Sequence, residues 1–299
     1  MVTLPLPEPY DADRTLGSLR LSSLRTPYTF FDGRRVRRLI HLHGRPTLVE
    51  FEFPASVRRL RARVVGRPIG SRRANPGLRD LAVSVWGLDD DLRRGLIALR
   101  RDPGLAPLLR RYAGLRMVRT PDLYEVLLMA VVGQQISVAS AESIRRRLMH
   151  ALGARVVVDG TEFVGYPAPD RLRATAPHVL QKLGTSRQKA RYLIEIAERA
   201  AAGRLDRAAF ERLGDEEAVA MLTEIPGVGR WTAEVALMRG LGRRDVFPAA
   251  DIGLMTAAQR LLKRADKPRE DELRAIAERW KGWRSYAALY LWRSLQKAT

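Results

Sequence analysis

The feature that most constrains the fold is a change of hydrophobic period partway along the chain. From Leu39 to Val65 the period is two: Ile40 and Leu42 alternate with His41 and His43, and Val49, Phe51 and Phe53 alternate with Glu50 and Glu52. Such alternation predicts half-buried strands with their apolar side chains on one face. Leu60, Ala62 and Val64, interleaved with Arg61 and Arg63, predict a further strand, and Gly44-Arg45-Pro46 predicts a turn. Beyond Asn75-Pro76-Gly77 the pattern becomes helical and is expected to stay helical to the end. The expected architecture is α+β, mostly α, with a small β-rich N-terminal domain over residues 1–80 and a helical region over 81–299.

Local signals place several helix ends. Thr120 followed by Pro121 predicts an N-cap with Pro at the first helical position, starting a helix through Val131 that Gly133 interrupts. Thr185 with Gln188 fits a capping box for a helix running to about Gly203. Asp215 is expected to cap a short helix ending near Thr223.

Charge narrows the partners. Lys and Arg number 53 against 33 Asp and Glu, a formal net charge of +20 spread along the chain, and that field favours a polyanion. No apolar run approaches the roughly 20 residues of a membrane-spanning helix. The N-terminus, rich in Pro and acidic residues, does not resemble a signal peptide, so a cytoplasmic protein without membrane partners is expected. Zero cysteines exclude disulfides, thiolate catalysis, and zinc or iron-sulfur clusters held by cysteine. His41 and His43 have no third ligand nearby in sequence, and two alternating strand residues commonly face solvent, so no metal is assigned to them.

Leu222–Leu237, LTEIPGVGRWTAEVAL, places a tight Pro-Gly-x-Gly turn between two short helices. Gly227 and Gly229 permit close backbone approach, and the amides of the helix starting near Arg230 suit a phosphate. An ordinary αα-hairpin needs the same glycines for its turn alone. Downstream lies Val246–Leu254, VFPAADIGL, with Asp251 just ahead of a helix. There a carboxylate caps the helix. Stabilised as an anion by the helix N-terminus, it is also suited to stabilising positive charge that develops on a substrate. The two roles are compatible.

Together these segments resemble the helix-hairpin-helix DNA glycosylase superfamily, in which Asp251 would be the catalytic carboxylate and Gly227, Gly229, Arg230 and Thr232 would meet the DNA backbone. Gly133–Ala139, GQQISVA, resembles the family loop that enters the minor groove, which implies DNA-binding roles for Gln134, Gln135, Ile136 and Ser137. Gln135 stands at the wedge position, where the family often has leucine. Trp283–Trp292, WRSYAALYLW, resembles a signature whose last Trp lines the base pocket. Trp231 and Trp292 are therefore the expected pocket aromatics and Trp283 an expected structural residue, with Tyr286 and Tyr290 unassigned. Many relatives carry a second acid before the catalytic Asp; here that residue is Ala250.

The bifunctional members, endonuclease III and oxoguanine glycosylase, carry a nucleophilic lysine where this chain has Trp231, which implies no Schiff base and no strand nicking. The iron-sulfur members need cysteines that are absent. The remaining resemblance is to 3-methyladenine DNA glycosylase II, an alkylpurine glycosylase. It implies a monovalent cation, sodium or potassium, on the backbone carbonyls of Thr223, Ile225 and Val228, with no other cofactor required. It also implies a cleft between helical subdomains over 120–243 and over 81–119 plus 244–299. The expected activity is monofunctional excision of alkylated bases from double-stranded DNA by a monomer, in base excision repair. A glycosylase for another lesion, such as uracil or hypoxanthine, and a non-catalytic damage-binding protein are the alternatives.

Overall fold

Alternating side chains build the start of the chain as the period requires. In a computed structural model, which describes residues 1–22, 26–66 and 77–296, one antiparallel sheet is formed by strands β1 (Val2–Pro5), β2 (Phe30–Asp32), β3 (Arg35–Leu42), β4 (Arg45–Glu52) and β5 (Arg59–Val64), in the order β1-β5-β4-β3-β2. Asn75 and Pro76 of the expected boundary lie outside the described residues. The β3–β4 turn falls one residue earlier than expected, on His43 (φ 50°) and Gly44 (φ 72°). A two-residue hairpin loop of the type I′ kind needs positive φ at both central positions. Arg45 and Pro46 instead pair with Leu42 and His41 in the ladder.

Val36, Ile40, Val49, Phe51, Leu60 and Ala62 share the buried face. They pack on helix α2 (Leu78–Val85) and on Trp86, whose ring meets Phe51 and Phe53 edge-on at 5.5 and 4.8 Å between centroids. On the opposite face Glu50 is clasped across strands by Arg37 at 2.7 Å and Arg63 at 2.6 Å.

Helix α1 (Ala12–Leu21) precedes α2 and interrupts the β-rich segment. Asp11 caps it, accepting from Arg14 N at 2.9 Å. It is docked through Arg116, wholly buried, whose backbone N–H donates to Thr15 Oγ1 at 3.2 Å and whose Nη1 donates to the carbonyls of Gly87 and Asp90 at 2.6 and 2.8 Å.

The remainder is helical with one exception. The elements run α3 (Leu92–Leu99), α4 (Ala106–Arg111), α5 (Leu123–Gly133), α6 (Val138–Leu152), strands β6 (Arg155–Val158) and β7 (Thr161–Val164), α7 (Pro169–Arg173), α8 (Pro177–Lys182), α9 (Arg187–Ala201), α10 (Arg207–Phe210), α11 (Asp215–Thr223), α12 (Arg230–Ala236), α13 (Ile252–Leu261), α14 (Glu270–Ala277) and α15 (Arg284–Leu295). The unexpected β6–β7 hairpin turns on Asp159 and Gly160, both at positive φ, and its Phe163 covers Leu39 and Leu48 of the sheet. Helix α5 is buried from Leu123 to Val132, as an all-round apolar helix must be, and α6, α9 and α12 pack around it. Helix α12 runs directly into a π-helical turn, Leu237–Leu241.

Three helix starts differ from expectation. Asp122, not Thr120, caps α5 by accepting from Glu125 N at 2.8 Å, and Pro121 precedes the helix. Ser186 rather than Thr185 caps α9, accepting from Lys189 N at 3.1 Å. Asp215 is the first residue of α11, whose N-cap is Gly214. Each shift places a short polar side chain or a glycine at the residue whose extended backbone leaves the helix. No helix among the described residues is long and apolar enough to cross a membrane. Nor is there, among them, a group of three or more His, Cys, Asp or Glu able to hold a metal.

Candidate active site

Asp251 caps α13 and accepts from Leu254 N at 2.9 Å through Oδ1. The same oxygen accepts from Trp292 Nε1 at 2.9 Å, and Oδ2 accepts from Trp231 Nε1 at 3.2 Å. All three partners are N–H donors, and the helix N-terminus adds partial positive charge, the surroundings that an anionic carboxylate accepts. The two expected pocket tryptophans, 61 residues apart in sequence as 292 − 231, thus meet on one carboxylate. Gly253 makes room for it: a Cβ there would fall 2.9 Å from Asp251 Oδ1.

A cavity of about 290 Å³ opens beside this group. Trp231, Val235, Leu289 and Trp292 supply apolar walls, and Asp251, Arg239 and Arg293 the charged groups. Ser18, Leu21 and Ser22 bring the end of α1 to the same cavity. Helix α15 is fixed in place from its buried side: Tyr286 Oη donates to Asp90 at 2.6 Å, and Tyr290 Oη donates to the Leu115 carbonyl at 3.3 Å. Burial and the adjacent Asp90 carboxylate raise the Tyr286 phenol far above its usual range. Both tyrosines are therefore structural. Trp283 is too, its ring packed against Gly95, where a Cβ would come 2.5 Å from a ring atom.

The hairpin joins α11 to α12 through residues 224–229. Gly227 is left-handed at φ 85°, and a Cβ on it would strike the Tyr192 ring at 2.1 Å, so its need is internal. Gly229, the N-cap of α12, faces open space with nothing within 4 Å. Its bareness leaves the first amides of α12 open to an external group.

The residues expected on DNA divide into two sets. Gln134 and Thr232 point inward: Gln134 Nε2 donates to the Gly227 carbonyl at 2.9 Å and to Thr232 Oγ1 at 3.3 Å, fastening the loop after α5 to the hairpin. Lys189, which sequence reasoning passed over, secures the same loop by donating from Nζ to the carbonyls of Val132 and Gln134 at 3.0 and 2.6 Å. Gln135 and Ile136 are exposed at the loop tip, Gln135 with left-handed backbone at φ 56°. Ser137 caps α6, accepting from Ser140 N at 3.1 Å. Arg230 is engaged by protein carboxylates, Glu216 at 2.6 Å and Glu234 at 3.1 Å. The carbonyls of Thr223, Ile225 and Val228 lie at and beyond the C-terminus of α11; that of Ile225 accepts from Val228 N at 2.9 Å.

Fold and site together define a DNA glycosylase of the helix-hairpin-helix class, with a tethered carboxylate at an aromatic pocket beside the hairpin. A family model described as HhH-GPD superfamily base excision DNA repair protein matches residues 128–282, and the chain belongs to that superfamily. It is similar to a DNA-3-methyladenine glycosylase of Bacillus subtilis, 31% identical over 299 residues, covering 99% of this chain and 97% of the relative. Among solved structures it is similar to a 3-methyladenine DNA glycosylase from Archaeoglobus fulgidus, with a TM-score of 0.83, 28% identity and 98% of each chain covered. It also resembles a 3-methyladenine DNA glycosylase of Schizosaccharomyces pombe solved with abasic DNA, with a TM-score of 0.59, 28% identity, and 69% of this chain and 98% of that one covered.

Proposed function

We propose that this glycosylase is monofunctional, a monomer that turns alkylated bases such as 3-methyladenine and 7-methylguanine out of duplex DNA and hydrolyses their glycosidic bonds. The observation that carries the reading is the Asp251 carboxylate held by Trp231 and Trp292 at the edge of the base-sized cavity. A flipped base enters between the apolar walls and stacks on an indole face, which attracts electron-poor alkylated rings. Asp251 then faces the sugar and stabilises positive charge developing at C1′. Water adds at C1′, leaving free base and an abasic site. Among the described residues that line the cavity none is a lysine, and the hairpin position where a Schiff-base lysine would stand is Trp231, which supports the absence of strand cleavage.

The exposed loop tip at Gln135 enters the gap in the duplex, while the open amides of α12 hold a backbone phosphate. Carbonyl oxygens at a helix C-terminus suit a cation, so those of Thr223, Ile225 and Val228 would hold a monovalent ion that adds positive charge toward the phosphate. Such activity belongs at the bacterial nucleoid in the cytoplasm.

The test is base release from methylated duplex by the wild-type protein and Asp251→Asn, with strand breaks scored before and after alkali. Asp251-dependent release with breaks only after alkali is expected. Full activity in Asp251→Asn would refute the assignment, and breaks without alkali would refute monofunctionality.

A further inference from the structure

Helices α3 and α4 carry a charged surface that the excision reaction leaves unused. Arg93, Arg94, Arg100, Arg101 and Arg110 are all exposed there. Among the described residues, none of these five guanidiniums has a hydrogen bond or a salt bridge. The same stretch of chain holds four acids, and each is engaged elsewhere. Asp89 and Asp90 hold the buried Arg119. Asp91 caps α3, accepting from Arg94 N at 3.1 Å. Asp102 accepts from Gly104 N and from Trp280 Nε1, both at 2.8 Å. The five positive charges are therefore left for a partner from outside.

This surface stands apart from the cavity. Gly104, between α3 and α4, packs on Leu261 at the end of α13, where a Cβ would come 3.3 Å from Leu261 Cγ, and Gly95 of α3 packs on Trp283 at the start of α15. Leu261 is ten residues beyond Asp251, and Trp283 is nine before Trp292. At the helical rise of 1.5 Å per residue, the surface lies about 15 Å from the carboxylate and its tryptophan. Exposed charges act over about 8–10 Å in physiological salt.

The make-up of the surface decides what fits it. A protein interface has a core depleted of charge, whereas Ile97, 58% exposed, is the only exposed large apolar side chain described among these arginines. Interfaces with DNA are polar and strongly positive. From Arg93 to Arg101 the chain rises by about 12 Å, a length over which duplex DNA presents about seven phosphate charges.

We propose that the α3–α4 arginines are a second DNA-binding surface, which takes the backbone of a separate duplex segment while another duplex occupies the cavity. Each guanidinium can fork onto a phosphate, and such contacts carry no sequence information. A chain that grips two segments passes from one to the next without going free. The second surface thus serves the search for lesions, not their excision.

The test fills the cavity first. Wild-type protein is saturated with a short duplex carrying a stable abasic-site analogue, and capture of a second, labelled, undamaged duplex is followed by sedimentation over a range of salt. Two duplexes per chain are expected. Arg94→Gln, Arg101→Gln and Arg110→Gln combined should weaken the second capture about tenfold or more and flatten its log–log salt slope by about 2–3. Single-turnover base release from a short methylated duplex should not change. Arg171→Gln, Arg204→Gln and Arg212→Gln combined remove the same charge from exposed residues elsewhere and should capture like wild type. Equal weakening in both combinations would reduce the effect to net charge and overturn the proposal, as would one duplex per chain in the wild type. Capture that vanishes when the first duplex is merely lengthened would give the surface to flanking DNA and overturn it too. None of these outcomes touches the excision reading, which base release measures separately.

Discussion

Trp292 Nε1 lies 2.9 Å from Asp251 Oδ1, so a ring that lines the cavity and the carboxylate at its edge are joined by one hydrogen bond. Trp292→Phe keeps an aromatic face and deletes the donor. A hydrogen bond to a charged group contributes about 1.5–3 kcal/mol, so single-turnover excision should fall by about 10- to 100-fold, with affinity for undamaged duplex unchanged. A Phe variant as fast as wild type would mean that the bond does not orient the carboxylate.

Gly253 offers a case in which stability and activity should part. Replacing a helical glycine by alanine ordinarily favours the helix by about 1 kcal/mol, yet a Cβ here falls 2.9 Å from Asp251 Oδ1. That oxygen also caps α13, and weakening the cap offsets the helix gain, so Gly253→Ala should melt close to wild type while excising about tenfold or more slowly, because small displacements of a reacting group are costly. A matched fall in melting temperature and rate would instead indicate general damage to α13.

Much of this site was legible because it rests on local chemistry. Asp251 has extended backbone itself and is followed directly by a helix, as expected of a short acidic cap, and the paired glycines of the hairpin announce a tight turn. Trp231 and Trp292 came from resemblance; nothing in their spacing says that both indoles reach one carboxylate. Arg239, which lines the cavity, was hidden among 53 Lys and Arg, since its place depends on a π-helical turn that has no period in the sequence. Helix α1 escaped because its buried residues, Thr15 and Leu16, are adjacent and trace no stripe. The β6–β7 hairpin did carry a signal, Asp159-Gly160 between Arg155–Val158 and Thr161–Val164, the dipeptide that favours a two-residue turn. Arg230 looked free for phosphate because Glu216 lies 14 residues away in sequence and only the folded hairpin brings them together.

Gln135 holds a left-handed backbone, φ 56°, at a cost of about 1–2 kcal/mol for a residue with a side chain. Gln135→Gly should relieve that cost and raise or preserve the melting temperature. Loss of the side chain should slow excision from fully paired duplex more than from a lesion placed opposite an abasic site, where less stacking must be broken. Equal rates of variant and wild type on paired duplex would remove Gln135 from base extrusion.

Glu50 ties acid stability to the sheet. Burial alone would push its carboxyl up, but the Arg63 and Arg37 guanidiniums more than offset this, holding it below its ordinary value of 4.5. A carboxyl whose pKa is depressed on folding contributes stability that is present above its unfolded pKa and is lost as pH falls through the folded one. Glu50→Gln should thus lower stability at pH 7 by about 1–3 kcal/mol, the range for charge-assisted hydrogen bonds with partly exposed partners. The gap between variant and wild type should narrow as pH drops below 4.5, because the wild-type side chain then becomes neutral as well. Urea midpoints at neutral and acid pH measure this directly; a gap of the same size at both would show that Glu50 stabilises the sheet by packing rather than by its charge.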